Sequence, residues 1–416
     1  MNSKRKNKIS ECCDILDNLR VPINDEIRQT MQGNIPYYGA NGIQGYIDKY
    51  IFDEDLILLA EDGGNFEEYH TRPIAYKISG KSWVNNHAHI LRAKPEFNQD
   101  FIFYSLVHKD ITKYLNSGTR SKLNKSELEK IEIDFPATKD EEDKIAKILS
   151  TADAVIEKTQ AAIAKYKAIK QGMLQDLFTR GIDVNTNKLR PRYQDAPELY
   201  KESKLGMIPW EWDEKIFGEE VDLIHGHQFR DYDFTEFGIP VVKIGQVKPD
   251  NVDLSSCSFV AYGREDEFQN EIIRNGDVLM ALTGATLGKA CLVKGLNGIV
   301  LQNYRVGRFE PIIKQNDIDK EFLYYLLIAG DLLTQIFNKV NTGAQGNIGK
   351  ADFEKATFKK PPFDEQQKIA ERLKAIDNKL QTEQTYLQKM QSLKKGLMED
   401  LLSGRKQVKI NEATTV

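Results

Sequence analysis

This sequence offers little to a cofactor, a membrane or a disulfide. Its 416 residues include four cysteines, Cys12, Cys13, Cys257 and Cys291, and none forms C-x-x-C. Adjacent Cys12 and Cys13 are a poor start for a zinc site, and the set reads as buried or idle thiols in a reducing compartment. No apolar run reaches the roughly 18 residues that span a bilayer. Met1–Glu11 is charged and polar, which predicts no signal peptide. A soluble cytoplasmic protein is therefore expected. Neither sign of charge dominates: Lys+Arg is 58 against Asp+Glu 62, a net charge of −4. This balance excludes a polybasic binder working by bulk charge, but it leaves room for a local basic face.

Catalytic signatures are scarce as well. Gly284-Ala-Thr-Leu-Gly288-Lys289 looks like a phosphate loop, but it is one residue short between its glycines, and Ala290 stands where a Ser or Thr is needed. Lys360-Pro361-Pro362-Phe363 looks like the (Asp/Asn)-Pro-Pro-aromatic motif of amino-methyltransferases. That motif needs a first side chain that accepts from the target amine, and a lysine cannot accept. His87-x-His89 and His225-x-His227 invite a metal reading, yet no obvious carboxylate or cysteine set accompanies them, and solvated or hydrogen-bonding imidazoles explain them better. There is no nuclease carboxylate–lysine cluster and no glycine fingerprint for a methyl donor. No catalytic, cofactor or metal residue is assigned.

What the chain does contain is itself, twice. Ser117-Gly118-Thr119 falls on Thr342-Gly343-Ala344 at an offset of 225, and Pro136 falls on Pro361. One residue is then lost, and at an offset of 224 residues 140–178 match 364–402 with 13 identities in 39 positions. Asp153 meets Asp377, Lys170 meets Lys394, and Gly172 meets Gly396. Upstream the echo is fainter: Asp55–Leu58 resembles Asp277–Met280, and Phe101–Tyr104 resembles Phe322–Tyr325.

The matched segments read as helices carrying a heptad seam. Ile145, Leu149, Ala152, Ile156, Thr159, Ile163, Tyr166, Lys170, Met173 and Leu177 step by four and three throughout. The second seam is Ile369, Leu373, Ile376, Leu380, Glu383, Leu387, Met390, Lys394, Leu397 and Leu401. Both are interrupted at the same places, by Thr159 and Glu383, then by Lys170 and Lys394. Such polar seam residues fix register at a cost in stability. Acids at Asp140–Asp143 and Asp364-Glu365 suit the positive end of a helix dipole. The expected arrangement is an antiparallel coiled coil with a pseudo-twofold relation between the halves. Gly172 and Gly396 suggest either a close backbone approach or a frayed last turn.

Residues 1–136 and 206–361 hold short β-rich runs bounded by turns, with amphipathic helices expected at Asp100–Asn116 and Asp319–Val340. The fold class is therefore α+β: two mixed α/β domains separated by two long helices. The expected bounds are a first domain at 1–138, helix one at 139–180, a linker at 181–205, a second domain at 206–362, helix two at 363–404 and a tail at 405–416.

This pattern resembles the specificity (S) subunits of Type I restriction-modification systems. The resemblance rests on Gly33-Asn-Ile-Pro-Tyr-Tyr-Gly-Ala-Asn-Gly42, Leu174-Gln-Asp-Leu-Phe-Thr-Arg-Gly-Ile-Asp183, and the linker from Lys188-Leu-Arg-Pro-Arg192 through Ser203-Lys-Leu-Gly206 to Ile208-Pro-Trp-Glu-Trp212. Gly238-Ile-Pro240, Val278–Gly288, Thr342–Gly346 and Pro361–Gln367 complete it. It implies two target-recognition domains, each reading one half of a split, asymmetric DNA sequence. It also implies helices that dock two methyltransferase subunits. Those partners would bring S-adenosylmethionine and methylate adenine N6, and restriction/translocase subunits join such assemblies. The chain itself would be non-catalytic; the alternative is a methyltransferase or restriction enzyme acting alone.

The charge of the two domains fits discrimination better than grip. Residues 1–136 hold 18 Lys+Arg against 20 Asp+Glu, and residues 206–361 hold 17 against 23. Candidate base or phosphate contacts are loop residues able to donate or accept. In the first domain these are Asn41, His70, Arg120 and Lys122. In the second they are Lys243, Thr283, Thr286, Asn303, Arg305, Gln345 and Asn347.

Overall fold

The computed structural model describes all residues except 1–4, 117–120, 313–316, 340–346 and 410–416. The chain forms two compact units, residues 1–162 with 384–416 and residues 163–383. Each unit contains one head and a stretch of both long helices.

The first head opens with a strand, Arg5–Lys8, that pairs antiparallel with its last strand, Glu132–Phe135. A one-turn helix, Ile9–Cys12, then leads into Cys13–Ile15, the edge of a four-stranded antiparallel sheet. The sheet order is Cys13–Ile15, Ala88–Ala93, Leu56–Ala60, Ala75–Ile78. Leu56–Ala60 is an unbroken apolar run and is buried throughout, as a central strand covered on both faces must be. The second sheet runs Gly42–Ile47, Ile35–Gly39, Lys81–Val84, Phe52–Asp53, with a parallel pair at its centre. A helix, Gln99–Leu106, is capped by Asn98, whose side chain accepts from the Phe101 N–H, and it lays Phe101, Ile102 and Tyr104 into the core.

The second head repeats the succession. Asp213–Ile216 pairs with Thr357–Lys360, and the one-turn helix Phe217–Glu220 leads into Val221–His225. The antiparallel sheet is Val221–His225, Val306–Pro311, Val278–Ala281, Ala290–Leu292. The other sheet is Phe234–Thr235, Ser258–Val260, Ile239–Val242, Leu301–Gln302, again with one parallel pair. The helix Lys320–Ile328 has Asp319 as its N-cap. The amphipathic stretch expected at Asp319–Val340 is divided in two, because Gly330 takes φ +98° and a new helix, Asp331–Lys339, begins after it. In the first head the corresponding helix stops at Leu106, well short of Asn116.

The long helices run Lys139–Thr179 and Phe363–Leu402. The first begins with a reciprocal cap: Glu141 N–H donates to Thr138 Oγ1, and Thr138 N–H donates to the Glu141 carboxylate. Glycines with positive φ follow each helix, Gly181 at +61° and Gly404 at +72°. In the first unit Ile145, Ala146 and Leu149 share a core with Leu401 and the head's Phe101 and Phe135. In the second, Leu174, Leu177 and Phe178 share one with Ile369, Leu373, Trp212 and Phe322. In each unit the start of one helix thus meets the end of the other, which is antiparallel pairing. None of the twenty seam positions is exposed; the remaining seam residues, Ile156, Ile163, Ile376, Leu380, Leu387, Met173 and Leu397 among them, are buried or half-buried. Gly172 and Gly396 serve no close approach: a Cβ at either would meet nothing within 4 Å. They also lie inside the helices rather than in a frayed end.

The linker is locked to the second unit through a buried carboxylate. Glu365 accepts from Arg190 Nη1 at 2.5 Å and Nη2 at 2.9 Å, from Trp212 Nε1 at 3.0 Å and from the Ile182 N–H at 2.7 Å. A Cβ on Gly181 would lie 2.1 Å from this carboxylate, so that position admits only glycine.

Candidate nucleic-acid interface

In the first head three connections converge beyond the strand ends. The hairpin between Ile35–Gly39 and Gly42–Ile47 turns on two residues, Ala40 and Asn41, with Gly42 at φ +114°. Asn41 is exposed, and its Nδ2 donates to the Gly63 carbonyl at 2.8 Å, which ties the hairpin to the 61–73 loop. Lys122 bridges to Asp62 through the backbone, and its Nζ lies 3.1 Å from Glu61 Oε1. His70 is exposed further along the same loop, edge-on to Tyr69. Arg120 lies outside the described residues.

Beneath these loops sits a charge network that motif reading passed over. Arg20 Nη1 donates to Glu61 at 2.5 Å and His87 Nδ1 lies 2.8 Å from Asp62. His89 is buried, with Nδ1 2.6 Å from Asp17 and Nε2 2.8 Å from the Leu123 carbonyl. Both ring nitrogens lie against oxygens, so the imidazole is held from two sides. Burial pushes the Asp17 carboxyl up, but the His89 ring, the Ile90 N–H and Arg20 outweigh it and hold Asp17 below the usual carboxylate range. Asp17, Glu61 and His89 approach one another closely enough to hold a cation. Arg20 and Lys122 already supply the positive charge there, so the cluster works as a brace that fixes the loop bases.

In the second head the candidates gather on four neighbouring turns. Thr283–Gly288 forms a tight turn with Gly284 at φ +76° and Gly288 at +78°. It returns into strand Ala290–Leu292, whereas a phosphate loop feeds a helix. Thr286 Oγ1 donates to the Ile244 carbonyl at 3.2 Å, and Thr283 bridges to Asn347. Lys243 Nζ donates to Ser258 Oγ at 2.7 Å and lies 4.0 Å above the Phe234 ring. Arg305 is exposed and stacks on its neighbour Tyr304 at 5.2 Å, with Nε donating to the phenol oxygen at 2.6 Å. Asn303 is buried, and its side-chain oxygen accepts from the Arg305 N–H, so it shapes the turn that presents Arg305. Gln345 lies outside the described residues.

Three aromatic side chains escaped sequence reading. Tyr232, Phe237 and Tyr262 are 86 %, 74 % and 72 % exposed. The strand register places them at one end of the Phe234–Thr235, Ser258–Val260, Ile239–Val242 sheet. Asp231, Glu236, Glu265 and Asp266 stand beside them in sequence, a poor setting for phosphate. Of the tempting histidines, His225 Nδ1 lies 3.2 Å from the Tyr304 carbonyl, and His227 packs edge-on against Phe229 and Phe268. Pro361 and Pro362 simply lead into the second long helix.

Two similar heads, each packed on a stretch of both long helices and carrying unlike polar loops, define a repeat protein of two variable units on matched helices. Residues 3–166 and 214–392 match the family described as the Type I restriction modification DNA specificity domain, and the chain belongs to that family. It is 28 % identical over 401 residues to the type I restriction enzyme MjaVIII specificity subunit of Methanocaldococcus jannaschii, covering 92 % of this chain and 88 % of that one. Its fold is similar to the crystal structure of the Type-I restriction-modification system S subunit from M. genitalium. The TM-score is 0.64 at 17 % identity, with 96 % of each chain covered. The chain is a specificity subunit of the type I class. Among the described residues no helix is long and apolar enough to cross a membrane.

Proposed function

We propose that each head reads one half of a split, asymmetric DNA target, and that the paired long helices dock two methyltransferase subunits. Those partners bind S-adenosylmethionine and methylate adenine N6, and restriction subunits join the same assembly. The chain itself carries out no chemistry and works in the cytoplasm, where DNA and methyl donor are found. The observation that carries this reading is the repetition: the two heads share the strand order of their antiparallel sheet on matched helices, while the turns that bear Asn41, Lys122, Lys243, Thr286 and Arg305 differ. A common frame with unlike loops suits one assembly reading two different half-sites. Phosphate contacts would position the heads, and Arg305, Lys243 and Asn41 would reach base edges.

The test is to map methylated adenines in cells carrying the complete system, then replace residues 206–361 with the matching segment of another family member. One half of the target should change while the other stays. A change in both halves, or methyl transfer by the purified chain without partners, would overturn the proposal.

A further inference from the structure

Each unit contains one three-membered polar node where its head meets both long helices. In the first unit, Tyr104 of the helix Gln99–Leu106 donates to Asp153 Oδ2 at 2.6 Å, and Asp153 on the first long helix also pairs with Lys394 on the second. In the second unit, Tyr325 of the helix Lys320–Ile328 donates to Asp377 Oδ2 at 2.9 Å. Asp377, now on the second long helix, pairs with Lys170 on the first at 2.6 Å. Each lysine also lies against the tyrosine ring, Lys394 at 5.5 Å from Tyr104 and Lys170 at 5.7 Å from Tyr325. Both tyrosines are buried, so each phenol must find its partner inside the interface.

The lysines occupy seam positions, where leucine would pair the helices more tightly. Polar seam residues are kept where register matters more than stability. A leucine seam tolerates sliding, whereas an ammonium that must meet one carboxylate and one ring does not. The tyrosine adds what an ordinary interhelical pair lacks. It carries the head into the same node, so helix register and head orientation are set together. Burial and the adjoining carboxylate both push these phenols up from their ordinary value, so they remain donors.

We propose that Tyr104, Asp153 and Lys394, with Tyr325, Asp377 and Lys170, are positioning residues that fix each head on its helix pair and so set how strictly the protein demands one spacing between half-sites. This rests on the split-target reading above.

The test uses the full chain reconstituted with its methyltransferase subunits. Methylation rates are measured on duplexes carrying the mapped target with its native spacer, one base pair more and one fewer. Lys170→Met with Lys394→Met should leave the native rate nearly intact while the preference for native over shifted spacers falls about threefold or more, the scale of coupling between contacting groups. Lys170→Arg with Lys394→Arg should restore the preference. Tyr104→Phe with Tyr325→Phe, which removes only the two hydroxyls, should lower it as well, and this pair decides the matter if the methionine variant melts early. Equal losses on all spacers, or an unchanged preference, would overturn the inference. A wild-type complex with no target selectivity would overturn the subunit reading along with it; selectivity with unaltered spacing preference would overturn the positioning role alone.

Discussion

In the first head the two-residue strand Phe52–Asp53 lies beside Lys81–Val84; in the second, Phe234–Thr235 lies on the opposite side of the same three-strand core, beside Ser258–Val260. The hairpins of that core differ just as much. Ala40 and Asn41 suffice in the first head, while residues 243–257 form the connection in the second. The antiparallel sheet beneath shows no such divergence, since its four strands follow one order in both heads. Constraint is therefore uneven. Strands of the antiparallel sheet hold their pattern because they must satisfy both the sheet and the head's own helix, Gln99–Leu106 or Lys320–Ile328, packed on it. Among the described residues, the second sheet and its turns carry no such helix.

The comparison can be broken most severely at the helix pair. Leu149 and Leu373 are repeat-related, and each is fully buried in its own unit. Aspartate at both positions should cost well over about 4 kcal/mol in each unit, because an unpaired carboxylate would enter an apolar core. Circular dichroism should show loss of cooperative melting, and assembly with partners should vanish. Leu149→Asp alone should melt the first unit while the second keeps its transition.

A sharper contrast lies in Glu141 and Glu365, which are repeat-related but differently employed. Glu365→Gln leaves Arg190 buried without its bidentate partner and should destabilise the second unit by about 3 kcal/mol. Glu141→Gln touches only an exposed helix cap and should cost less than about 1 kcal/mol. Calorimetry of the two variants checks this, and equal costs would mean that the linker lock matters no more than the cap.

A smaller effect is expected at the loops. Arg305→Ala should weaken discrimination at one half-site by about 1–3 kcal/mol and leave the other half-site untouched. Methylation of duplexes with single substitutions in either half measures it. Loss spread evenly over both halves would place Arg305 on phosphate rather than on a base.

The helices were legible in sequence because their register is local: every fourth or third residue speaks for the same face. Asp153, Lys170, Asp377 and Lys394 were visible as identities of the repeat, though their shared purpose was not. It depends on Tyr104 and Tyr325, brought in by a different element. The heads were legible only as a class. Short strands acquire their order from pairings such as Cys13–Ile15 with Ala88–Ala93, where Cys13 meets Ala93 far along the chain, which no local pattern reports. The reading loops were least legible. Lys122 and Lys243, candidate DNA contacts, have neighbours in Glu61 and Phe234, and Asn303, another candidate, is buried. Conversely, Arg20 and His89, distant in sequence, turned out to brace the first head's loops.

The paired strands that open and close each head, Arg5–Lys8 with Glu132–Phe135 and Asp213–Ile216 with Thr357–Lys360, bring the chain in and out at one spot. Topologically each head is a detour from the helical frame that returns to its point of departure. Whatever is exchanged within the detour must still offer the frame those two strands and the capped helix, Gln99–Leu106 or Lys320–Ile328, that packs on the long helices. A different head can therefore be installed by replacing one continuous stretch of gene, provided its closing strands and its capped helix still fit the frame.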